Sequence, residues 1–84
     1  MNGIRQRVRE LLIADYLKGE DPDELQDDTP LITGGILDSI STLRFVTQLE
    51  NEFDIALDAR DAEYENLDTV DAVVALVESK LRLK

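Results

Sequence analysis

The sequence predicts an all-α domain: a small bundle of three main helices plus one short helix, with a long loop between the first and second helices. Three observations carry this reading. Apolar residues recur at steps of three and four in three separate stretches, which places each set on one helix face. Between the first two stretches lies a connection dense in acids, with glycine and proline among them, a composition that resists burial and favours loop. With 84 residues, of which 43% are apolar, the chain can build one modest core, so residues 1–84 are taken as a single domain.

The first helix is expected over residues 3 to 18. Ile4, Val8, Leu11 and Leu12 share one face, and Arg5, Arg7, Arg9 and Glu10 occupy much of the remainder. Asn2 suits a cap at the front, and Gly19 suits a helix end. Residues 19 to 38 then form the long connection. Its first half carries six acids, Glu20, Asp21, Asp23, Glu24, Asp27 and Asp28, around Pro22. Structureless connections beyond ~12–15 residues are uncommon in compact domains. Leu25, Leu31, Ile32, Ile36 and Leu37 can pin this one to the core, so it is expected to be ordered from Leu31 onward. The acids do not make a calcium loop. Alternation from Asp21 meets Leu25 at a ligand position, and Gln26 stands where a calcium loop of the EF-hand type requires glycine.

The second helix is expected over residues 39 to 53. Gly34-Gly35 allows a sharp turn, and Asp38-Ser39 supplies residue types favoured at helix N-caps. Ser39 therefore stands exposed at a helix mouth, where the dipole and unpaired N–H groups favour an added anion such as a phosphodiester. Behind it Phe45, Val46, Leu49 and Phe53, helped by Thr42, form the core face, with Leu43 at its edge. Ser41, Arg44, Thr47, Gln48 and Asn51 are expected to face solvent.

Residues 54 to 67 read as linker, with Ile55 and Leu57 pinned inward and a short helix near Asp61 to Tyr64. The last helix should start at Asp68 or Thr69, with Asp68 and Asp71 resembling a capping pair, and run to about Leu81. Val70, Val73, Val74, Val77 and Leu81 make its apolar face. Its β-branched residues disfavour helix, so packing must hold it. Lys80, Arg82 and Lys84 suit its negative end.

Composition narrows the function. A formal charge of −10 argues against nucleic-acid binding, which needs a basic footprint. It favours basic partner surfaces, since opposite fields steer encounter. Cysteine and histidine are both absent, which removes disulfides, thiolate nucleophiles, the usual zinc sites and the commonest general base. No metal site is expected, and no catalytic residue: a carboxylate enzyme would need a pair in a cleft, and no such pair can be placed. The longest apolar run, Ala72 to Val77, has six residues, far below the ~20 that cross a membrane. No basic-then-apolar leader is seen, so a cytoplasmic monomer that does not insert into membranes is expected.

Four stretches in order carry a resemblance: Asp28-Thr29-Pro30-Leu31; Gly34 through Ser39; Leu49-Glu50-Asn51-Glu52-Phe53-Asp54-Ile55; and Asp61-Ala62-Glu63 with Leu67-Asp68-Thr69-Val70. Together they resemble the acyl carrier and peptidyl carrier protein family over nearly the whole chain. The resemblance implies that a phosphopantetheinyl transferase moves 4′-phosphopantetheine from coenzyme A onto the Ser39 hydroxyl. Acyl or aminoacyl cargo then rides as a thioester on the arm. This suits a chain without cysteine, whose one thiol would arrive with the prosthetic group. The chain would be no enzyme but a substrate of the transferase, with a loading ligase and a downstream transferase or synthase as further partners. Asp38 would assist transferase recognition, and Ile40 replaces the family's usual leucine after the serine. Residues that would line a route for an acyl chain into the bundle are Val46, Leu57, Ala62, Leu67 and Val70.

Two departures bear on the pathway. Gly35-Ile36-Leu37-Asp38-Ser39 has one residue more than the common Gly-x-Asp-Ser loop, a form more similar to the D-alanyl carrier and other specialist stand-alone carriers. No acid lies between Ser39 and Glu50, where fatty-acid-synthesis carriers usually place them, and Arg44 stands there instead. Arg44 thus joins Asp38 and Ile40 as a partner-recognition residue. The reading is an acyl or aminoacyl carrier of a dedicated pathway. The alternatives are a housekeeping fatty-acid-synthesis carrier and a small acidic helical interaction module in which Ser39 is only an N-cap.

Overall fold

In the computed structural model, which describes residues 3–17 and 21–83, four helices surround one core. The first, α1 (Gly3–Tyr16), buries Val8 and Leu12, with Ile4 and Leu11 packed beside them. Its last turn closes with Leu17 N donating to Leu12 O at 3.1 Å. The helix stops at Tyr16; the expected cap at Asn2 and stop at Gly19 lie outside the described residues.

The connection that follows is folded onto the core through its few apolar side chains. Leu25, Leu31 and Leu37 are buried, and Ile32 and Ile36 pack against them. The connection is tied to α1 at two points: Arg5 Nη1 lies 3.2 Å from Asp27 Oδ1, and Arg9 Nη1 donates to Leu25 O at 2.6 Å. A single 3₁₀ turn at Pro22–Glu24 is the only helical piece in this connection among the described residues.

The next helix, α2 (Ser39–Phe53), has the expected bounds. Phe45 and Leu49 are fully buried, and the Tyr16 ring meets Phe45 edge-on at 6.0 Å between centroids. Two expectations on its faces are corrected. Leu43, placed at the edge of the core face, is 68% exposed. Gln48, placed in solvent, is half-buried: it accepts from the Tyr16 hydroxyl at 2.5 Å and donates to Asp15, tying α2 to α1.

The short helix α3 (Tyr64–Leu67) begins three residues later than expected. Asp58 and Asp61 are the cause. Each carboxylate accepts the other's backbone amide, at 3.1 and 2.9 Å, which holds that segment in turns. The last helix, α4 (Val70–Arg82), packs on α1 and buries Val70, Val73, Val74 and Val77. Thr69 is its N-cap, accepting from Ala72 N at 3.0 Å. The Asp68–Asp71 capping pair does not form, because both carboxylates are engaged elsewhere, Asp71 on Arg5 at 2.7 Å and Asp68 on the loop before α2.

Candidate functional site

The loop that delivers Ser39 turns twice, and each turn needs its own glycine. At Gly34 a β-carbon would lie 2.2 Å from the Pro30 carbonyl oxygen, so only glycine fits. At Gly35 space is open, but φ is +86°, a conformation other residues rarely adopt. Leu31 and Leu37, both fully buried, anchor the two ends, and Leu37 N donates to Leu31 O at 2.7 Å. The segment is a closed loop seated on the core.

Asp38 follows in extended conformation and is the N-cap of α2, its Oδ1 accepting from Ser41 N at 2.7 Å. That amide, and behind it the Ser41 hydroxyl, hold the Asp38 carboxyl below the ordinary carboxylate range; Arg44 adds a smaller pull in the same direction. Ser39 is the first residue of the helix, exposed, and its hydroxyl has no hydrogen-bond partner among the described residues. The cap is therefore Asp38 and not Ser39, which removes the reading of Ser39 as an N-cap. A hydroxyl left out of the cap, beside the positive end of a helix, can be reached by a large reagent and suits an attached phosphate.

A shallow depression of about 430 Å³ opens beside Ser39, lined by Ile32, Leu37, Thr42, Ala62 and Tyr64 together with Asp38. Of the five residues expected along an acyl route, Ala62 borders this depression. Leu67 and Val70 are fully buried in the core, and Val46 and Leu57 pack against it. On the outer face of α2, Ile40 is 72% exposed next to Leu43, and Arg44 is exposed one residue on. The three residues expected to meet partners thus differ in setting. Asp38 is engaged as a cap, whereas Ile40 and Arg44 project from the helix surface.

One residue of the site is not apparent from sequence. Asp68, at the end of α3, accepts from Ile32 N at 2.8 Å, from Thr33 N at 2.9 Å and from the Thr33 hydroxyl at 2.9 Å. Its own carbonyl accepts from Leu31 N at 2.6 Å. Burial works against the Asp68 carboxylate, but the bonds from Thr33 and Ile32 together outweigh it and hold the group below the ordinary range. Its sequence signal, Asp before Thr at a helix start, points to capping, and nothing local reveals partners 36 and 35 residues away.

Among the described residues no helix is long and apolar enough to cross a membrane, and no group of three or more metal-ligating side chains gathers. None of the curated proteins matches the chain significantly. The family model described as phosphopantetheine attachment site matches residues 6–77, from the first helix to the last and across the whole loop and Ser39. The chain therefore belongs to the phosphopantetheine-attachment family: it is a non-catalytic carrier protein whose prosthetic group is covalent 4′-phosphopantetheine, received from a phosphopantetheinyl transferase and served by acyl-handling enzymes.

Proposed function

We propose that Ser39 is the attachment residue and that the chain carries aminoacyl or specialised acyl groups in a dedicated pathway. The observation that carries the first half is the exposed, unpartnered Ser39 hydroxyl at the start of α2, with the N-cap duty taken by Asp38. The hydroxyl oxygen would form the new phosphoester bond, giving up its proton to the transferase, while the pyrophosphate link of coenzyme A breaks and its nucleotide half leaves. The first turn of α2 would hold the phosphodiester, where the helix dipole favours its charge. Ile32, Leu37 and Ala62 would offer the arm an apolar surface. When attached, the group supplies a thiol that takes cargo as a thioester.

The second half rests on the surface of α2. From Ser39 to Leu49 it carries no acid, and it presents Ile40, Leu43 and Arg44 outward. A partner that reads acids there finds apolar area and a cation instead. This favours a dedicated loading ligase over the fatty-acid-synthesis machinery, in keeping with a loop similar to that of D-alanyl and other specialist stand-alone carriers.

Incubation with coenzyme A and a promiscuous transferase, read by intact mass and peptide mapping, tests the attachment. One phosphopantetheine on wild type and none on Ser39→Ala is expected. Modification at Ser41 instead would overturn the assignment. Because Ser39 is not the cap, Ser39→Ala should stay within ~0.5 kcal/mol of wild type in stability. Loading of the holo carrier by fatty-acid-synthesis enzymes as readily as a housekeeping carrier would sink the dedicated-pathway reading.

A further inference from the structure

We infer that Asp68 is a positioning residue for modification at Ser39. From the junction of α3 and α4 it holds the loop that forms one wall of the depression beside that serine. The inference rests on the assignment of Ser39 as the attachment site.

Four hydrogen bonds from three consecutive residues, Leu31, Ile32 and Thr33, end on Asp68. The Leu37 N to Leu31 O bond then closes the loop, and the next two residues are Asp38 and Ser39. Ile32 and Leu37, one at each end of this loop, both line the depression. Between them lie Gly34 and Gly35, the residue type with the most backbone freedom to lose on ordering. The Thr33 hydroxyl and the Ile32 and Thr33 amides fix the segment just before those glycines. Without the carboxylate, the Ile32 and Thr33 amides and the Thr33 hydroxyl lose their acceptor. The wall of the depression is then left to its apolar contacts and to the backbone bonds of Leu31 N to Asp68 O, Leu37 N to Leu31 O and Gly35 N to Ile32 O.

Asp68 does not line the depression at Ser39, so its effect must pass through the loop. A transferase meeting a loosened loop has to order it on binding. That loss falls on complex formation and not on the chemical step. Hydrogen-bond geometry and not charge is what the loop requires. An asparagine offers an oxygen to both amides, and its NH2 group can donate to the Thr33 hydroxyl.

The test uses the full apo chain, a phosphopantetheinyl transferase and saturating coenzyme A. Initial rates are measured against carrier concentration, and the product is located by peptide mapping. Asp68→Ala should raise the KM for the carrier about tenfold with kcat within about twofold, the scale of one lost hydrogen-bonded anchor. Asp68→Asn should return KM to within about twofold of wild type, as the preserved acceptor requires. Unchanged KM in a folded Asp68→Ala overturns the role, and so does an Asn variant as impaired as Ala. Should Asp68→Ala not fold, Asp68→Ser carries the same expectation; loss of folding in both would make Asp68 a stability residue alone. A wild type left unmodified at Ser39 would instead sink the attachment assignment, so the two failures are distinguishable.

Discussion

Lys80 of α4 reaches Asp61, its Nζ 2.7 Å from Oδ2, in the least exposed ion pair among the described residues, with side chains 22% and 17% exposed. The pair joins α4 to the turns that precede α3, where Asp61 also accepts the Asp58 amide. Lys80, and then the Asp58 amide, hold the Asp61 carboxyl below its ordinary value, while Asp61 raises the Lys80 ammonium above its own. Asp61 therefore contributes stability that is present above the unfolded Asp value of ~3.9 and is lost as pH falls through its lower folded value. Lys80 contributes stability present below the unfolded Lys value of ~10.4 and lost as pH rises through its raised folded value. Asp61→Asn should lower the Tm by a few degrees at neutral pH. The gap to wild type should close in acid, once wild-type Asp61 is protonated. Thermal melts from neutral pH into acid check it; a gap that persists in acid would mean that shape, not charge, joins these elements.

The two loop glycines should differ in what they tolerate. Gly34→Ala drives a β-carbon to 2.2 Å from the Pro30 carbonyl oxygen, a backbone atom that cannot rotate away. Gly35→Ala meets no atom within 4 Å, so only its positive φ resists, at roughly 1–2 kcal/mol. Gly34→Ala should accordingly lower the Tm more, and it should also slow transfer to Ser39 by displacing the loop. Equal Tm losses would show that the turn at Gly34 relaxes.

The local signals for α2 are dense, and the helix keeps the bounds they imply, Ser39–Phe53: two glycines, an Asp cap and an apolar stripe from Phe45 to Phe53 all act within a few residues. Local sequence is a poor guide wherever a polar side chain finds a distant partner. Asp68 carries the same local signature whether it caps α4 or anchors Ile32 and Thr33, and the fold chose the loop. Gln48 sits on the polar side of α2 by period, yet Tyr16 and Asp15 of α1 come to meet it. The start of α3 differs from the expected Asp61 because the Asp58–Asp61 exchange makes turns from residues that also suit a helix start. Leu43 stands at the edge of the apolar stripe by helical angle, and in the fold that edge lies with Ile40 in solvent.

Arg44 should govern partner choice. It is exposed on the face of α2 that also presents Ile40 and Leu43. Arg44→Glu should leave the Tm nearly unchanged, since surface substitutions move stability by within ~0.5 kcal/mol. It should reduce loading by the cognate ligase several-fold at low salt and less at moderate salt, because a rim charge acts mainly on association. Equal loading rates for wild type and variant across both salts would count against α2 as the docking face.

Salt should stabilise the protein despite its ion pairs. Arg5 joins Asp27 and Asp71, Arg7 joins Glu10 and Glu52, and Lys80 joins Asp61, at contact distances of 2.7 to 3.4 Å. These pairs lie well inside the Debye length at any ordinary ionic strength and weaken only modestly. The excess of nineteen acids over nine bases repels across the whole molecule, whose radius of gyration is 11.8 Å. At 0.01 M salt the Debye length of ~30 Å exceeds that radius, so distant acids feel one another; at 0.15 M it is ~8 Å and most of that repulsion is screened. The Tm should therefore rise between those two salt concentrations, and further with millimolar magnesium or calcium, which bridge neighbouring carboxylates loosely. Arg5→Gln, by freeing Asp71 and leaving Asp27 only the more distant Arg9 at 3.9 Å, should make the rise steeper. Melts followed by circular dichroism decide the matter: a flat response in wild type would mean that the bases on α1 and α4 already offset the acids that count.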